Sequence, residues 1–179
     1  MSSFMDRVVG AARLDIKTYE EVEADGNATG QAVAVVLLSS IAAGIGEGLG
    51  VGLLPLMLGA VGSLIGWAIW AALTSFIGTK LLPEPQTDAD FGQLFRTLGF
   101  SASPGLLRVF VLVPVVGWVI EAIVGIWMLV AMVIAVRQAL DYKSTWRAVG
   151  VCFIGWLVFV AIAVVIGTGV AAGLVAAGQ

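Results

Sequence analysis

Long apolar blocks separated by short polar ones dominate the chain, a pattern far coarser than the alternation of a strand or the stripe of a soluble helix. Between Asp25 and Lys80 the only ionisable residue is Glu47. As one helix this block would be about 80 Å long, against about 30 Å of bilayer hydrocarbon, so it must fold back on itself. The run Gly44-Ile45-Gly46-Glu47-Gly48-Leu49-Gly50-Val51-Gly52, with Pro55 just beyond, supplies the break. It predicts a first span over about 29–47 and a second over about 53–79. The block from Thr97 to Val136, interrupted by Arg108 and Glu121, also needs two passes, and Pro114-Val115-Val116-Gly117 carries turn chemistry between them. Span three, about 97–114, is short, and half of a re-entrant hairpin is its alternative. Span four covers about 118–138, and the uncharged stretch from Ala148 to Gln179 makes a long fifth span.

The polar segments have their own order. Residues 4–16 place Phe4, Val8, Val9, Ala12 and Ile16 against Asp6, Arg7, Arg13 and Lys17, which predicts an interfacial amphipathic helix or a short helix packed on the protein. Thr18-x-x-Glu21 reads as a capping box for a second helix ending at Asp25-Gly26. Asn27-Ala28-Thr29 matches a glycosylation sequon but reads as helix capping. In the loop 80–96, Pro83 and Pro85 stop the second span, and Thr87 with Asp90 caps a helix whose Phe91, Leu94, Phe95 and Leu98 share one side. That stripe packs on the inner leaflet or the bundle, and Phe91, Leu94 and Phe95 are its candidate docking residues.

Composition fixes the solvent. Of 179 residues, 60% are hydrophobic and 12% charged, where a soluble domain carries about 25% charge. The chain is therefore expected to be an all-α integral membrane bundle of five transmembrane helices with N-terminal interfacial or cytoplasmic helices. Residues 1–28 form the cytoplasmic amphipathic segment and 29–179 the membrane domain, with a cytoplasmic loop helix at about 80–98. With the N-terminus inside, Arg7, Arg13, Lys17, Lys80, Arg96, Arg137, Lys143 and Arg147 all fall at the inner face, as the positive-inside rule requires, and the C-terminus lies outside. A net charge of −3 excludes nucleic acid as the default partner. There is no histidine, and Cys152 is the only cysteine, which removes triads, Cys-His dyads and Cys/His zinc sites. No serine has a nearby base and no phosphate-loop ending follows the glycine run, so no enzyme, metal or cofactor is expected.

Charges inside apolar spans are costly and hence informative. Glu47, Arg108 and Glu121 are predicted at similar depth near the outer face. They form either a polar site that binds an ion or lipid headgroup or relays protons, or a simple Arg108–Glu121 pair that pins the hairpin. Small-xxx-small pairs at Gly44/Gly48, Gly62/Gly66 and Gly169/Gly173 are candidate close-packing seams within the bundle, with a homodimer face as the alternative. Trp118 and Trp146 are placed as interfacial anchors, and Trp67, Trp70, Trp127 and Trp156 as packing residues.

The order of several pieces resembles the Yip1 family of multi-pass membrane proteins in its prokaryotic branch. They are Arg13-Leu14-Asp15, Tyr19 through Asp25, Gly78-Thr79-Lys80-Leu81-Leu82, Phe91 through Phe100, Pro104-Gly105-Leu106-Leu107-Arg108, Pro114, Ile126-Trp127 and Val136-Arg137-Gln138-Ala139-Leu140. The resemblance implies a five-span domain with a cytoplasmic N-terminus. Eukaryotic members are associated with Rab GTPases and ER-to-Golgi vesicle traffic, and they carry a longer cytosolic N-terminal region with a Tyr-Gly-Pro-type motif. The head here has about 28 residues and no such motif, so GTPase binding does not follow. The expected function is a non-enzymatic scaffold, adaptor or accessory subunit in the cell membrane, in contact with lipid and with other membrane proteins or itself. The alternative is a small carrier, channel or lipid-handling protein using the polar cluster.

Overall fold

The structure, a computed structural model, describes residues 2–47, 52–113 and 115–177, with side chains at all of these except 163, 166 and 169–177. Every regular element among them is helical: α1 (Phe4–Ala12), α2 (Ile16–Ala24), α3 (Ala28–Gly46), α4 (Leu53–Phe76) with a π-helical turn Ile77–Leu81, α5 (Phe91–Phe100), a 3-10 segment Ser103–Leu112, α6 (Gly117–Ala139) and α7 (Thr145–Ala177). Among the described residues four helices are long and apolar enough to cross a membrane: Ala28–Gly46, Leu53–Leu81, Gly117–Ala139 and, within α7, Thr145–Ile162. The expected third span is not a fifth such helix. It is divided into α5 and the 3-10 segment, parted at Ser101-Ala102 just ahead of Pro104.

That divided segment is nevertheless central to the bundle. The buried positions of α3 include Ala28, Ala32, Val35, Ser39, Ala42 and Gly46, spaced four, three, four, three and four residues apart. This is the 3.5-residue repeat of a close-packed helix seam, built here almost wholly of small side chains. Along it, a Cβ on Gly99 would lie 2.7 Å from the Ala32 Cβ, one on Gly105 would overlap the Ser39 hydroxyl, and Gly46 abuts the Arg108 carbonyl. The pairs Ala32–Gly99, Ser39–Gly105 and Gly46–Arg108 ascend both segments together, so the α5–3-10 segment runs parallel to α3 over about 20 Å. Backbone outside a regular α-helix is tolerated at membrane depth where protein encloses it, and here Ser103, Pro104 and Gly105 are buried between α3 and α6.

The N-terminal helices depart from their sequence pattern. Residues 4–16 do not form one helix: α1 stops after Ala12, and Leu14 turns the chain with φ +63°. The Asp15 amide donates back to the Gly10 carbonyl at 3.0 Å, closing a Schellman-type stop without glycine. Asp15 then caps α2 by accepting from the Lys17 amide, while Thr18 is buried within the helix and its hydroxyl donates to Asp15 at 3.0 Å. The expected Thr18 cap is thus one turn too late. Asn27 precedes α3 but makes no side-chain capping bond. Asp90 does cap α5, in a reciprocal box with Gln93, whereas the Thr87 hydroxyl accepts from the Glu84 amide instead.

Candidate functional site

Two regions concentrate polar chemistry: the cytoplasm-assigned ends of the helices and the Arg108 neighbourhood near the opposite end. In the first, α1 and α2 fold into a hairpin packed on α5, α6 and the 3-10 segment, with Arg7 reaching Gln31 of α3. Arg7, assigned by its spacing to a solvated face, is only 2% exposed. Its guanidinium bridges Glu21 at 2.9 Å and Asp25 at 2.8 Å and donates to the Gln31 side chain at 3.0 Å. A fully desolvated cation is tolerated because its donors are matched in this way. Bonds from Ser2 and Arg7 hold the Glu21 carboxyl down at about 2, and Arg7 lowers that of Asp25 too.

The last carbonyls of each head helix, which have no partner inside the helix, are taken up by distant side chains. Tyr19 donates to the Ala11 carbonyl at 3.2 Å and the Trp127 indole to that of Ala12 at 2.7 Å, so Trp127 of α6 ties α1 to the bundle. Arg96 of α5 donates to the carbonyls of Val22 and Glu23 at the end of α2. Glu23 is half-buried between α2 and α5, accepting from Gln93 at 3.1 Å. Burial, and then the charge of Asp141, push its carboxyl up to about 7.

The loops between spans are laced in the same manner. Glu84 accepts the Lys143 amide at 3.0 Å just ahead of α7, takes a bond from Gln86 at 2.6 Å, and meets Arg147 at 3.4 Å. The Lys143 bond is the main cause of its lowered carboxyl. Tyr142 donates to the carbonyls of Gly78 and Leu82 at 2.9 and 2.7 Å, closing the π-helical turn, and burial pushes its phenol up to about 12. Of the three docking residues, Leu94 is wholly buried and Phe95 stacks on Trp67 with ring centroids 3.7 Å apart, so both serve the core. Phe91, 46% exposed, stays on the surface.

At the opposite end Arg108 and Glu121 meet at 2.7 Å. Glu47 does not join that pair; it lines, with Arg108, a cavity of about 380 Å³ that also takes in Ser39, Ser40, Ser63 and Met128. The Ser40 and Ser63 hydroxyls bond each other there, joining α3 to α4. Arg108, Ala102 and Met128 are shared with a second, largely apolar cleft of about 550 Å³ bounded by Trp67, Trp70, Met132, Trp156 and Phe159. Among the described residues, the buried Nε of Arg108 and the indole N–H groups of Trp67 and Trp70 have no hydrogen-bond partner.

The candidate glycine seams divide. Gly44 faces Leu56, whose Cδ1 a Cβ would approach to 2.5 Å, so it brings α3 against α4. Among the described residues nothing lies within 4 Å of a Cβ on Gly62 or Gly66, and they form no seam there. Gly48 lies outside the described residues, as do the side-chain environments of the Gly169 and Gly173 pair. Trp118 and Trp146 are 75% and 83% exposed at the first turns of α6 and α7. The structural roles of Arg7, Arg96 and Glu84 have no signature in the linear spacing, whereas the α3 repeat of small residues, broader than Gly44/Gly48 alone, is visible in the sequence.

Apolar helices around a divided central segment, with polar groups gathered at the two ends, define a multi-pass α-helical integral membrane protein in contact with lipid. The family model of the Yip1 domain matches residues 16–166, and the chain belongs to the Yip1 family. Searches of curated proteins and of solved structures give no significant match.

Proposed function

We propose that the protein is a non-enzymatic scaffold or adaptor of the cell membrane whose inner face is a preformed docking platform. The observation that carries this reading is the lacing of that face: Arg7, Arg96, Tyr142 and Glu84 bind the N-terminal hairpin and both loops to the spans. A surface held this way loses little conformational entropy on association. Met5 is 63%, Ile16 45% and Phe91 46% exposed, the last with one edge against Phe95, and these apolar groups are suited to a neighbouring membrane protein. In this proposal the chain crosses five times, the third as the divided α5–3-10 segment parallel to α3, with the N-terminus cytoplasmic and the C-terminus outside. The homodimer alternative uses the open Gly62/Gly66 face of α4.

The test is purification of the intact protein from its native membrane in a gentle detergent. A stoichiometric partner that is lost from a Met5→Ser/Phe91→Ser variant, while the variant's thermal stability is kept, supports the platform. A small carrier or lipid-handling protein is the second reading, favoured by the cavity at Arg108. Flux of ions or lipid in reconstituted vesicles that is lost in Glu121→Gln would replace the scaffold reading with it.

A further inference from the structure

The two cavities that meet at Arg108 differ in chemistry, and a single guanidinium borders both. One holds Glu47 and the hydroxyls of Ser39, Ser40 and Ser63; the other is a largely apolar cleft walled by Trp67, Trp70 and Phe159. A chamber that carries a carboxylate and hydroxyls, joined through one charged side chain to a more apolar groove, is the shape of an amphiphile's site. Arg108 is bonded to Glu121 through Nη2 only, and its buried Nε has no partner. Among the described residues the rest of that cationic group has no acceptor.

The charges select the headgroup. One guanidinium stands with two carboxylates, Glu121 in direct contact and Glu47 across the shared cavity. A net anionic headgroup would meet that carboxylate excess, whereas a zwitterion places opposite charges beside each sign. A phosphate oxygen can accept from the open side of the Arg108 guanidinium, and an ammonium can reach toward Glu47 and the serine oxygens. A primary ammonium donates three hydrogen bonds to these acceptors, while a quaternary one donates none. We propose that the paired cavities hold a phospholipid with a primary ammonium headgroup, its phosphate at Arg108, its ammonium in the Glu47 chamber and an acyl chain in the tryptophan-walled groove. This goes beyond the scaffold reading and stands or falls separately from it.

The full-length protein is reconstituted in phosphatidylcholine vesicles doped with acyl-brominated lipid at one mole fraction, bearing an ethanolamine, glycerol or choline headgroup. Quenching of Trp67 and Trp70 is read as the difference between the native chain and a Trp67→Phe/Trp70→Phe variant. Brominated ethanolamine lipid is expected to quench this component about threefold more effectively than the other two, the worth of one partly exposed ion pair. Glu47→Gln, at an exposed helix end, brings ethanolamine and choline lipids level. Equal quenching by all three headgroups, a preference for the glycerol lipid, or an ethanolamine preference that survives Glu47→Gln overturns the proposal. If the double tryptophan variant does not fold, mass spectrometry of the lipids retained by the native and Glu47→Gln chains decides it, with selective ethanolamine-lipid retention in the native chain alone expected.

Discussion

Replacing Arg7 with alanine tests the physical basis of the head most sharply. Its guanidinium is 2% exposed and holds Glu21 at 2.9 Å, Asp25 at 2.8 Å and Gln31 at 3.0 Å. Deleting one member of a buried ionic network typically costs about 3–5 kcal/mol, because the remaining charges lose their partner. The lower end applies here, since the Glu21 side chain is 34% exposed and rehydrates. About 3 kcal/mol corresponds to an opening constant of the α1–α2 hairpin raised about 100-fold. Hydrogen exchange by mass spectrometry on the detergent-solubilised protein reads this directly, as lost protection in peptides from residues 4–24 with α6 and α7 unchanged. Arg7→Lys keeps the charge but loses the fork, and falls between. Protection of 4–24 within about threefold of the native chain in Arg7→Ala would refute the reasoning, because that is less than 1 kcal/mol.

Other consequences follow from individual contacts. Glu23 is raised to about 7, so its contribution to stability is present in full below the unfolded value near 4.5 and is lost as pH rises through about 7. Glu23→Gln is accordingly expected to stabilise the head at pH 8 by about 1 kcal/mol after screening of a half-exposed carboxylate, and to change nothing at pH 4, measured by thermal unfolding across pH. Glu21 has the opposite sign: lowered to about 2, its pairing is complete above about 4.5 and is lost only as pH falls toward 2, so the Arg7 contacts persist at pH 4. Gly105→Ala drives a methyl into the Ser39 hydroxyl and to within 3.1 Å of the Met128 sulfur, and is expected to cost about 1–3 kcal/mol. Gly62→Ala, with open space, is expected to leave the melting temperature unchanged or raised, and a changed oligomer mass in Gly62→Leu would locate a second chain on that face. A phosphatase fused after Gln179 is expected to be active outside the cytoplasm, and silence there would contradict the five-crossing topology.

Much of the bundle was legible in the chain because cost in lipid is one-sided. Spans predicted at 29–47, 53–79 and 118–138 correspond to helices over Ala28–Gly46, Leu53–Leu81 and Gly117–Ala139, since exposing backbone or charge to hydrocarbon leaves few options. The third predicted span is not one regular helix: it is divided where protein encloses Ser103–Gly105, while Leu107, Phe110 and Leu112 farther along stay exposed. Once α3 and α6 enclose Ser103-Pro104-Gly105, close approach at Gly105 matters more than regular hydrogen bonding. The head misled for a related reason. Helical periodicity sorted Arg7 to the polar face, but Glu21, Asp25 and Gln31 come from two other helices, so the partners that make its burial possible are tertiary. The stops at Leu14 and Asp141, with φ +63° and +52°, also escaped notice because neither is glycine. Of the polar cluster, the Arg108–Glu121 pair lay within reach, one residue on each side of a short turn. The cavity beside it depends on how α3 and α4 lean together through Ser40 and Ser63, which no linear pattern records.

The claim on which the functional account rests is that the inner face is a docking platform. Its most direct measurement is the subunit composition, by native mass spectrometry, of complexes extracted gently from the protein's own membrane. The account predicts a fixed stoichiometry with a second membrane protein in the native chain and in Glu121→Gln, and its loss in the stably folded Met5→Ser/Phe91→Ser variant. A partner-free chain in all three, or a complex indifferent to Met5 and Phe91, would contradict it.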